Sequence, residues 1–394
     1  MVRSVAGISR KELERRREEL LKRMRDEGIN ALYVASSANI AYLTGFEFIA
    51  TERPFAAVLK DDGELVVLCP LLEAEHVSKY AYVDKVLSYP EYPDEKHPML
   101  WFAEHLKKIG LEGKVIGYDA DGYGQVMGYR GPRLSEVFKN AKYVYARDLI
   151  EELRMIKSDE ELRILRESAR WTILAHRLLQ EYTAPGRYED EISLAASAEA
   201  TLTMIRALPG WRNLRALAGF RGQVGPHSYY PHSLSIHAVI KRGQVLVTGA
   251  SARIAGYGVE LERTLFVGAP GEEHRRFFNF MLEARRIAFE NIKPGARCSD
   301  VDRAVRRFFK EKGLWNYWRH HTGHGIGLEV HEAPFFDVGD DRVLKPGMVM
   351  SVEPGIYVPN LGGFRHSDTI VITEDGYEKL TEYPEELDEL LIEA

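Results

Sequence analysis

Cysteine and long apolar runs are scarce in this chain. Only Cys69 and Cys298 occur in 394 residues, which excludes a disulfide framework and makes a reducing compartment the expected location. The segment from Met1 to Gly28 is dense in Arg, Lys and Glu and has no apolar stretch as long as a signal peptide or a membrane span requires. We therefore expect a cytoplasmic protein with no membrane partner.

An excess of positive charge is also lacking. The formal net charge is −6, from 53 basic and 59 acidic side chains, so nucleic acid is not an expected partner. The apolar content of 45% is typical of a globular protein. Because single hydrophobic cores stop growing at about 250–300 residues, a chain of 394 residues predicts two domains.

Residues 1–150 alternate between strand and helix patterns, which predicts an α/β domain. Charged residues around spaced leucines predict a surface helix over Arg10–Glu27, and an apolar run predicts a buried strand over Ala31–Ala35. The residues Asp61-Asp62-Gly63 separate two further apolar runs and predict a hairpin.

Residues 151–394 form the second predicted domain, which is of the α+β class. Ser158 and Glu161 have the spacing of a capping box, which predicts a helix from there to about Tyr182. The segment Trp211–Tyr230 is rich in Gly, Arg and aromatic residues without clean periodicity, which predicts a loop near a functional site.

Three short segments of this second domain place a carboxylate or an imidazole beside glycines. They are Gly256–Thr264, His320–Glu332 and Ser351–Asp368. Glycine lets the backbone turn tightly, so polar side chains from separate segments can converge. We therefore expect all three segments to build one site.

These segments resemble those of the prolidase, aminopeptidase P, methionine aminopeptidase and creatinase superfamily. The motifs Glu-Arg-Thr, Gly-His-Gly-Ile-Gly, Val-His-Glu and Glu-Pro-Gly-Ile-Tyr occur in the superfamily's order. The resemblance implies a pita-bread catalytic domain after an α/β N-terminal domain, and it implies a homodimer. In the N-terminal domain it implies a turn over Ser37–Phe46. It also implies hydrolysis of a C–N bond in a small-molecule or dipeptide substrate.

Peptidases of this superfamily look like two-metal enzymes whose ligands are two aspartates, a histidine and two glutamates. By resemblance, the second aspartate, the histidine and the first glutamate fall on Glu260, His324 and Glu353. The first aspartate should lie within residues 245–249, yet no Asp or Glu occurs from position 200 to position 259, and Ser367 replaces the last glutamate. Because a two-metal cluster needs carboxylates that bridge both ions, we do not expect the ordinary dinuclear site.

Three segments, Ile254–Tyr257, Leu261–Phe266 and Lys293–Asp300, most closely resemble those of creatinase, the metal-free member. By that resemblance His232 shuttles a proton while Glu262 and Glu353 hold the substrate. An imidazole with a pKa of about 6.5 can take a proton from water and return it to a leaving nitrogen. Our first expectation is therefore a metal-free hydrolase without a cofactor. Its expected catalytic residues are His232, Glu262, His324, His331 and Glu353, and its expected substrate-binding residues are Tyr257, Glu260, Arg365 and His366.

Two alternatives stay open. Glu260, His324 and Glu353 could hold one Mn, Co or Zn ion and serve an Xaa-Pro dipeptidase or aminopeptidase, since three protein ligands plus water form a workable catalytic coordination. In that case His232 and His331 would steady the tetrahedral intermediate. The other alternative is a catalytically silent protein that keeps the pocket to bind a small ligand.

Overall fold

The computed structural model describes residues 7–124, 127 and 131–393. They divide into two compact units, one up to Arg154 and one from Met155 onward. The expected boundary at residue 150 stays a prediction, and both ends of the chain lie outside the described part. No helix among the described residues is long and apolar enough to cross a membrane.

The first unit contains a mixed six-stranded sheet with the strand order β4-β3-β2-β1-β5-β6. Its strands are β1 (Ala31–Val34), β2 (Ala56–Lys60), β3 (Leu65–Pro70), β4 (Lys85–Tyr89), β5 (Val115–Tyr118) and β6 (Lys142–Tyr145). Its helices are α1 (Arg10–Asp26), α2 (Ser37–Thr44), α3 (Leu71–Tyr80), α4 (Pro98–Lys108) and α5 (Leu134–Val137), and α6 (Arg147–Met155) ends it.

Local sequence explains most of these elements. Ser9 caps α1 because its Oγ accepts a hydrogen bond from the Glu12 backbone N–H at 3.2 Å. The strands β2 and β3 pair antiparallel across the Asp61-Asp62-Gly63 turn, which confirms the predicted hairpin. The expectation of a turn over Ser37–Phe46 was wrong, because most of this segment is the helix α2, whose apolar residues Ile40 and Leu43 are fully or almost fully buried.

The second unit contains four long helices and most of the strands among the described residues. The helices are α7 (Asp159–Tyr182), α8 (Glu189–Ala207), α9 (Glu272–Asn291) and α10 (Cys298–Glu311). The strands are β7 (Arg215–Gly219), β8 (Val245–Val247), β9 (Gly249–Ile254), β10 (Tyr257–Glu262), β11 (Thr264–Val267), β12 (Gly323–Gly325), β13 (Glu332–Phe336), β14 (Val349–Val352), β15 (Gly355–Val358), β16 (Gly362–Arg365), β17 (Ser367–Ile372), β18 (Tyr377–Lys379) and β19 (Leu391–Ile392).

An eight-stranded sheet brings the three glycine-rich segments side by side. Its strand order is β13-β12-β14-β17-β10-β9-β7, and β18 pairs with β17. Three neighbouring pairs in this order carry the segments, and each pair is antiparallel: β12 with β14, β14 with β17, and β17 with β10. The segments are far apart in sequence, but they occupy adjacent strands of one sheet.

Helix α7 covers this sheet and begins where the sequence predicts. The Ser158 N–H donates to Glu161 Oε2 at 2.9 Å, and Ser158 Oγ accepts from the Glu161 N–H at 3.4 Å, which confirms the capping box. The buried face of α7 packs on β9 and β10. The helix thereby fixes the two strands that carry one wall of the site.

The expectation of a loop over Trp211–Tyr230 was wrong in part. Strand β7 lies inside this segment and pairs antiparallel with β9, from Arg215 opposite Arg253 to Gly219 opposite Gly249. Its burial alternates, with Ala216 and Ala218 buried, which is the period of a half-buried strand. Small side chains hid this alternation in the sequence.

Candidate active site

Two carboxylates and one imidazole converge on a single point of the eight-stranded sheet. Glu260 lies on β10, His324 on β12, and Glu353 directly follows β14. His324 Nε2 is 3.5 Å from Glu260 Oε1 and 3.4 Å from Glu353 Oε1. The three donor atoms all lie within 4.8 Å of one another. The structure therefore brings together the three residues that the sequence singled out as a possible ligand set.

The glycines beside His324 are required by close backbone approach. A Cβ on Gly323 would lie 2.0 Å from the Ser351 carbonyl oxygen, and one on Gly325 would lie 2.6 Å from two carbonyl oxygens of the next strand. No other residue type fits at such distances. The Gly-His-Gly pattern thus lets β12 sit tightly between β13 and β14 and carries His324 into the buried centre.

The His324 ring is oriented so that its Nε2 faces the carboxylates of Glu260 and Glu353. Nδ1 lies 3.0 Å from the Gly325 carbonyl oxygen, so Nδ1 carries the proton in the neutral ring. Nε2 is buried and has no hydrogen-bond partner among the described residues. A buried polar atom of this kind needs a partner, because leaving it without one costs free energy.

The charged groups of this cluster shift one another's pKa. Burial alone would lower the pKa of His324, but the negative charges of Glu260 and Glu353 outweigh burial and raise it well above its ordinary value. Burial alone would raise the pKa of both glutamates, yet the nearby imidazole lowers the pKa of each, and Arg365 helps at Glu353. Both carboxylates are therefore ionised at neutral pH.

This cluster fits one divalent cation. One imidazole nitrogen and two carboxylate oxygens are the donor types that zinc, manganese and cobalt accept. An ion between them would also supply the partner that His324 Nε2 lacks.

The described residues offer no ligand set for a second cation beside this cluster. Gly249, at the start of β9, is the residue of segment 245–249 whose side chain would point at the site, and it offers no ligand. Ser367 Oγ contacts Ser351 Oγ at 2.9 Å and donates to Glu260 Oε1 at 3.2 Å, so it supports Glu260. The described residues hold no further carboxylate group of ligand geometry at this point.

Glu262 faces two guanidinium groups. Arg365 Nη2 donates to Glu262 Oε1 at 2.7 Å, and Arg365 Nε lies against Glu262 Oε2. Arg221 Nη2 donates to Glu262 Oε1 at 2.5 Å. Arg365 also donates to the Tyr357 hydroxyl at 2.9 Å and to the Pro231 carbonyl at 3.3 Å. Glu262 is therefore held by arginines, and Arg365 ties the segment next to His232 to the site.

His331 and His232 lie at the open side of the cluster. The His331 ring stacks on the His324 ring with centroids 3.8 Å apart and an interplanar angle of 16°. Partial burial lowers the pKa of His331, and the charges of His324 and His232 lower it further. Both outer histidines are exposed. They are imidazoles that a substrate can reach.

The other two expected substrate-binding residues have partners elsewhere. The Tyr257 hydroxyl donates to Glu161 Oε1 at 2.9 Å, which fastens β10 to α7. His366 is buried; its Nδ1 accepts from the Thr264 N–H at 3.2 Å and its Nε2 lies 3.2 Å from the Glu385 carbonyl oxygen. These contacts place both side chains in supporting positions and not beside the carboxylate cluster.

Sequence reasoning missed Arg221, His320 and Tyr357. His320 Nε2 lies 2.8 Å from the Tyr357 hydroxyl, so these two residues extend the hydrogen-bond chain that starts at Arg365. His320 opens the histidine-rich segment, which was a usable signal. Arg221 lies in the segment interpreted as a loop, and no motif pointed to it.

A cavity of about 580 Å³ opens next to this cluster. Its charged lining residues include Arg221, Glu260 and Glu262, and Glu189, Asp190, Arg253 and Glu329 also line it. Its remaining lining includes the apolar residues Leu194, Leu217, Leu234, Ile326 and Val330. The cavity is large enough for a small peptide-like molecule and reaches Glu260.

Comparisons with known proteins agree with this fold. Residues 163–374 match the family model of metallopeptidase family M24, and residues 16–156 match that of the creatinase/prolidase N-terminal domain. The chain is 31% identical over 376 residues to an Xaa-Pro dipeptidase of Pyrococcus furiosus, which covers 95% of this chain and 100% of that protein.

Solved structures give the same result. A prolidase from Pyrococcus horikoshii matches with a TM-score of 0.80 and 26% identity, covering 95% of this chain and 99% of that one. A dipeptidase from Mycobacterium ulcerans matches with a TM-score of 0.83 and 25% identity, covering 99% of this chain and 100% of that one. The predicted architecture, an α/β N-terminal domain followed by a pita-bread domain, is confirmed.

Proposed function

The chain belongs to metallopeptidase family M24 and is a hydrolase of the prolidase, aminopeptidase P and creatinase superfamily, and from this premise we propose its reaction. The protein hydrolyses the peptide C–N bond of small Xaa-Pro-like peptides. It uses one divalent cation, held by Glu260, His324 and Glu353. This is the one-metal alternative, and the metal-free reaction that the sequence favoured becomes the second candidate.

The observation that carries this choice is the buried His324 Nε2, which lacks a hydrogen-bond partner among the described residues and faces two ionised carboxylates. A single cation satisfies all three groups. The substrate class is supported by the names of relatives that cover the whole chain, including the Xaa-Pro dipeptidase of Pyrococcus furiosus. The cavity beside Glu260 has the size that such a peptide needs.

A bound divalent cation supplies Lewis acidity and makes water a stronger nucleophile at neutral pH. The side chains of the protein do the rest. Glu353 and Glu260 stay ionised and accept hydrogen bonds from the attacking water. His331, whose pKa is lowered, is neutral at pH 7 and donates a hydrogen bond to the acyl oxygen of the substrate. His232, exposed beside it, takes a proton from the attacking water and returns it to the leaving nitrogen.

The metal-free candidate assigns Glu262 and Glu353 to a cationic group of the substrate, with His232 as proton shuttle. Glu262 already accepts hydrogen bonds from Arg365 and Arg221. A substrate cation would have to displace one of these guanidinium groups. For this reason the one-cation reaction is preferred, and Glu262 acts as the anchor of two arginines.

The deciding experiment is a dipeptidase assay on the chelator-treated protein and on the protein refilled with Mn, Co or Zn. We expect Xaa-Pro dipeptides to be cleaved only after refilling, and we expect Glu353→Gln to lose this activity. Glu378→Gln is the matched control, because Glu378 forms an exposed ion pair with Arg166 and should leave the activity unchanged.

Other outcomes select the rival functions. Turnover that survives chelation and disappears in His232→Ala supports the metal-free hydrolase. Ligand binding without turnover under any condition supports the silent binding protein. A homodimer and a cytoplasmic location belong to the same proposal, and analytical ultracentrifugation and cell fractionation test them.

A further inference from the structure

The Arg221 guanidinium fills the space that a side chain at position 249 would occupy. A Cβ built on Gly249 would lie 3.0 Å from Arg221 Nη2, 3.4 Å from Arg221 Cζ and 3.3 Å from Glu262 Oε1. The pairing of Gly249 with Gly219 on β7 brings the two positions together, because Arg221 follows β7 by two residues. A glycine at 249 is therefore a condition for Arg221 to reach Glu262.

The backbone of Arg221 is strained in the conformation that delivers its side chain. Its φ is +52°, a left-handed conformation that costs a non-glycine residue about 1–2 kcal/mol. Strain of this kind persists where the surrounding structure holds it, and it clusters at functional sites. Gly222 follows, and a Cβ there would lie 2.0 Å from the Leu234 carbonyl oxygen, so the whole turn is held in place.

Glu262 bridges the two guanidinium groups. Arg365 Nε also lies 3.9 Å from Glu353 Oε2, so Arg365 faces two carboxylates, whereas Glu262 is the one carboxylate that Arg221 pairs with among the described residues. Arg221 lines the cavity together with Glu260. Its guanidinium therefore presents a positive charge on the cavity wall.

Arg221 is the member of the pair that a ligand can reach. The side chain of Arg365 is only 3% exposed, whereas that of Arg221 is 50% exposed. Arg221 donates one hydrogen bond to Glu262, from Nη2. Its remaining N–H groups have no acceptor among the described residues, and a guanidinium presents them in a planar fork that matches a carboxylate.

We infer that Arg221 is a specificity-determining residue that binds a free carboxylate of the substrate, so that peptides ending in a carboxylate are preferred over their amides. The inference rests on the proposed function for the peptide class, but the binding step does not require hydrolysis. In this role the guanidinium of Arg221, which is attached to the chain, takes the place of a second metal cation. Gly249 makes room for it, and Glu262 holds it.

The test measures binding to the chelator-treated protein by isothermal titration calorimetry, with the dipeptide Ala-Pro and its C-terminal amide as probes. A charge-assisted hydrogen bond contributes enough for a preference of about tenfold or more, so the wild type should bind the carboxylate form at least about tenfold more tightly than the amide. Arg221→Met should bind both probes equally. Arg221→Lys, which keeps the charge but loses the fork, should retain part of the preference.

Arg253→Met is the matched control. Arg253 lines the same cavity, but its Nη2 donates to the Leu328 carbonyl oxygen. Its substitution should leave the ratio of the affinities for Ala-Pro and for its amide unchanged. The thermal unfolding of each variant checks that Arg221→Met is folded, and methionine suffers the same backbone strain as arginine at this position.

Two results would overturn the inference. One is an equal affinity of the wild-type protein for Ala-Pro and its amide. The other is an unchanged preference in Arg221→Met. Failure of the proposed function would give a different result. The carboxylate preference would be present, but the refilled protein would cleave no dipeptide. With a cleaving enzyme, the same preference should appear in kcat/KM for the two probes.

Discussion

Asp368→Asn should destabilise the second unit strongly, because it removes the one carboxylate between two buried guanidinium groups. Arg263 Nη2 donates to Asp368 Oδ1 at 3.0 Å and to Oδ2 at 3.2 Å, and Arg285 Nη2 pairs with Oδ2. The side chains of Asp368 and Arg263 are 0% exposed, and that of Arg285 is 3% exposed. The substitution keeps the shape of the side chain and removes its charge.

The magnitude follows from this burial. Removing one partner from a buried ion pair costs about 3–5 kcal/mol, because the other charge stays buried. Arg263 keeps its bonds to the backbone oxygens of Glu262, Ser367 and Pro384, and Arg285 keeps Glu385, so we expect the lower half of that range. For a unit of this size, about 3 kcal/mol corresponds to a fall of about 6–12 °C in Tm.

Urea unfolding of the wild type and of Asp368→Asn measures this loss. Glu378→Gln is the control, because its ion pair with Arg166 is exposed on both sides, and such pairs contribute about 0–1 kcal/mol. A free energy of unfolding within about 1 kcal/mol of the wild type for Asp368→Asn would refute the reasoning. It would mean that the two arginines do not depend on this carboxylate.

Two further predictions concern other buried groups. His176 is fully buried with Nε2 2.6 Å from Thr248 Oγ1, and burial, aided by the charge of Arg263, lowers its pKa to about 3. In the folded protein this ring is not protonated until the pH approaches 3. In the unfolded chain it is protonated below about pH 6.5. His176 should therefore lower the free energy of unfolding by about 2 kcal/mol between pH 7.5 and pH 5. His176→Gln should lose that part of the pH dependence in urea unfolding, and equal pH dependence in both proteins would contradict the assignment. Lys157→Met should lower the free energy of unfolding by about 3–5 kcal/mol, because Lys157 Nζ is 2.7 Å from Glu332 Oε1 in a buried pair. Combining Lys157→Met with Glu332→Gln should recover most of this loss. No recovery in the double variant would contradict the pairing.

Local patterns predicted the parts of the fold that local chemistry decides. The capping box at Ser158 fixed the start of α7, because its two hydrogen bonds join residues three apart. The Gly-His-Gly pattern identified His324 as a site residue, because glycines on both sides indicate close backbone approach. Strand β7 was missed, because small alternating residues carry a weak signal.

Strand alternation explains why two expected site residues lie elsewhere. On β10, Glu260 and Glu262 are separated by two positions and share a face, and Tyr257, an odd number of positions away, turns to α7. His366 stands between Arg365 and Ser367 and therefore points to the opposite side, where it meets Phe278. This rule was available from the sequence once the strands were placed correctly.

The role of Arg221 could not be predicted from the sequence. It depends on the pairing of β7 with β9, on the missing side chain of Gly249 and on a carboxylate 41 positions later. No local pattern links these residues. The loss of the first aspartate was visible in the sequence, but the group that takes its place became visible only in three dimensions.

We propose that this protein binds one cation per chain and not two. The most direct test is the metal content of the chelator-treated and refilled protein, measured by plasma mass spectrometry and located by anomalous diffraction. We expect one ion per chain, in contact with Glu260, His324 and Glu353, and its loss in Glu353→Gln. Two ions per chain bridged by protein carboxylates, or no tightly bound ion after refilling, would contradict it.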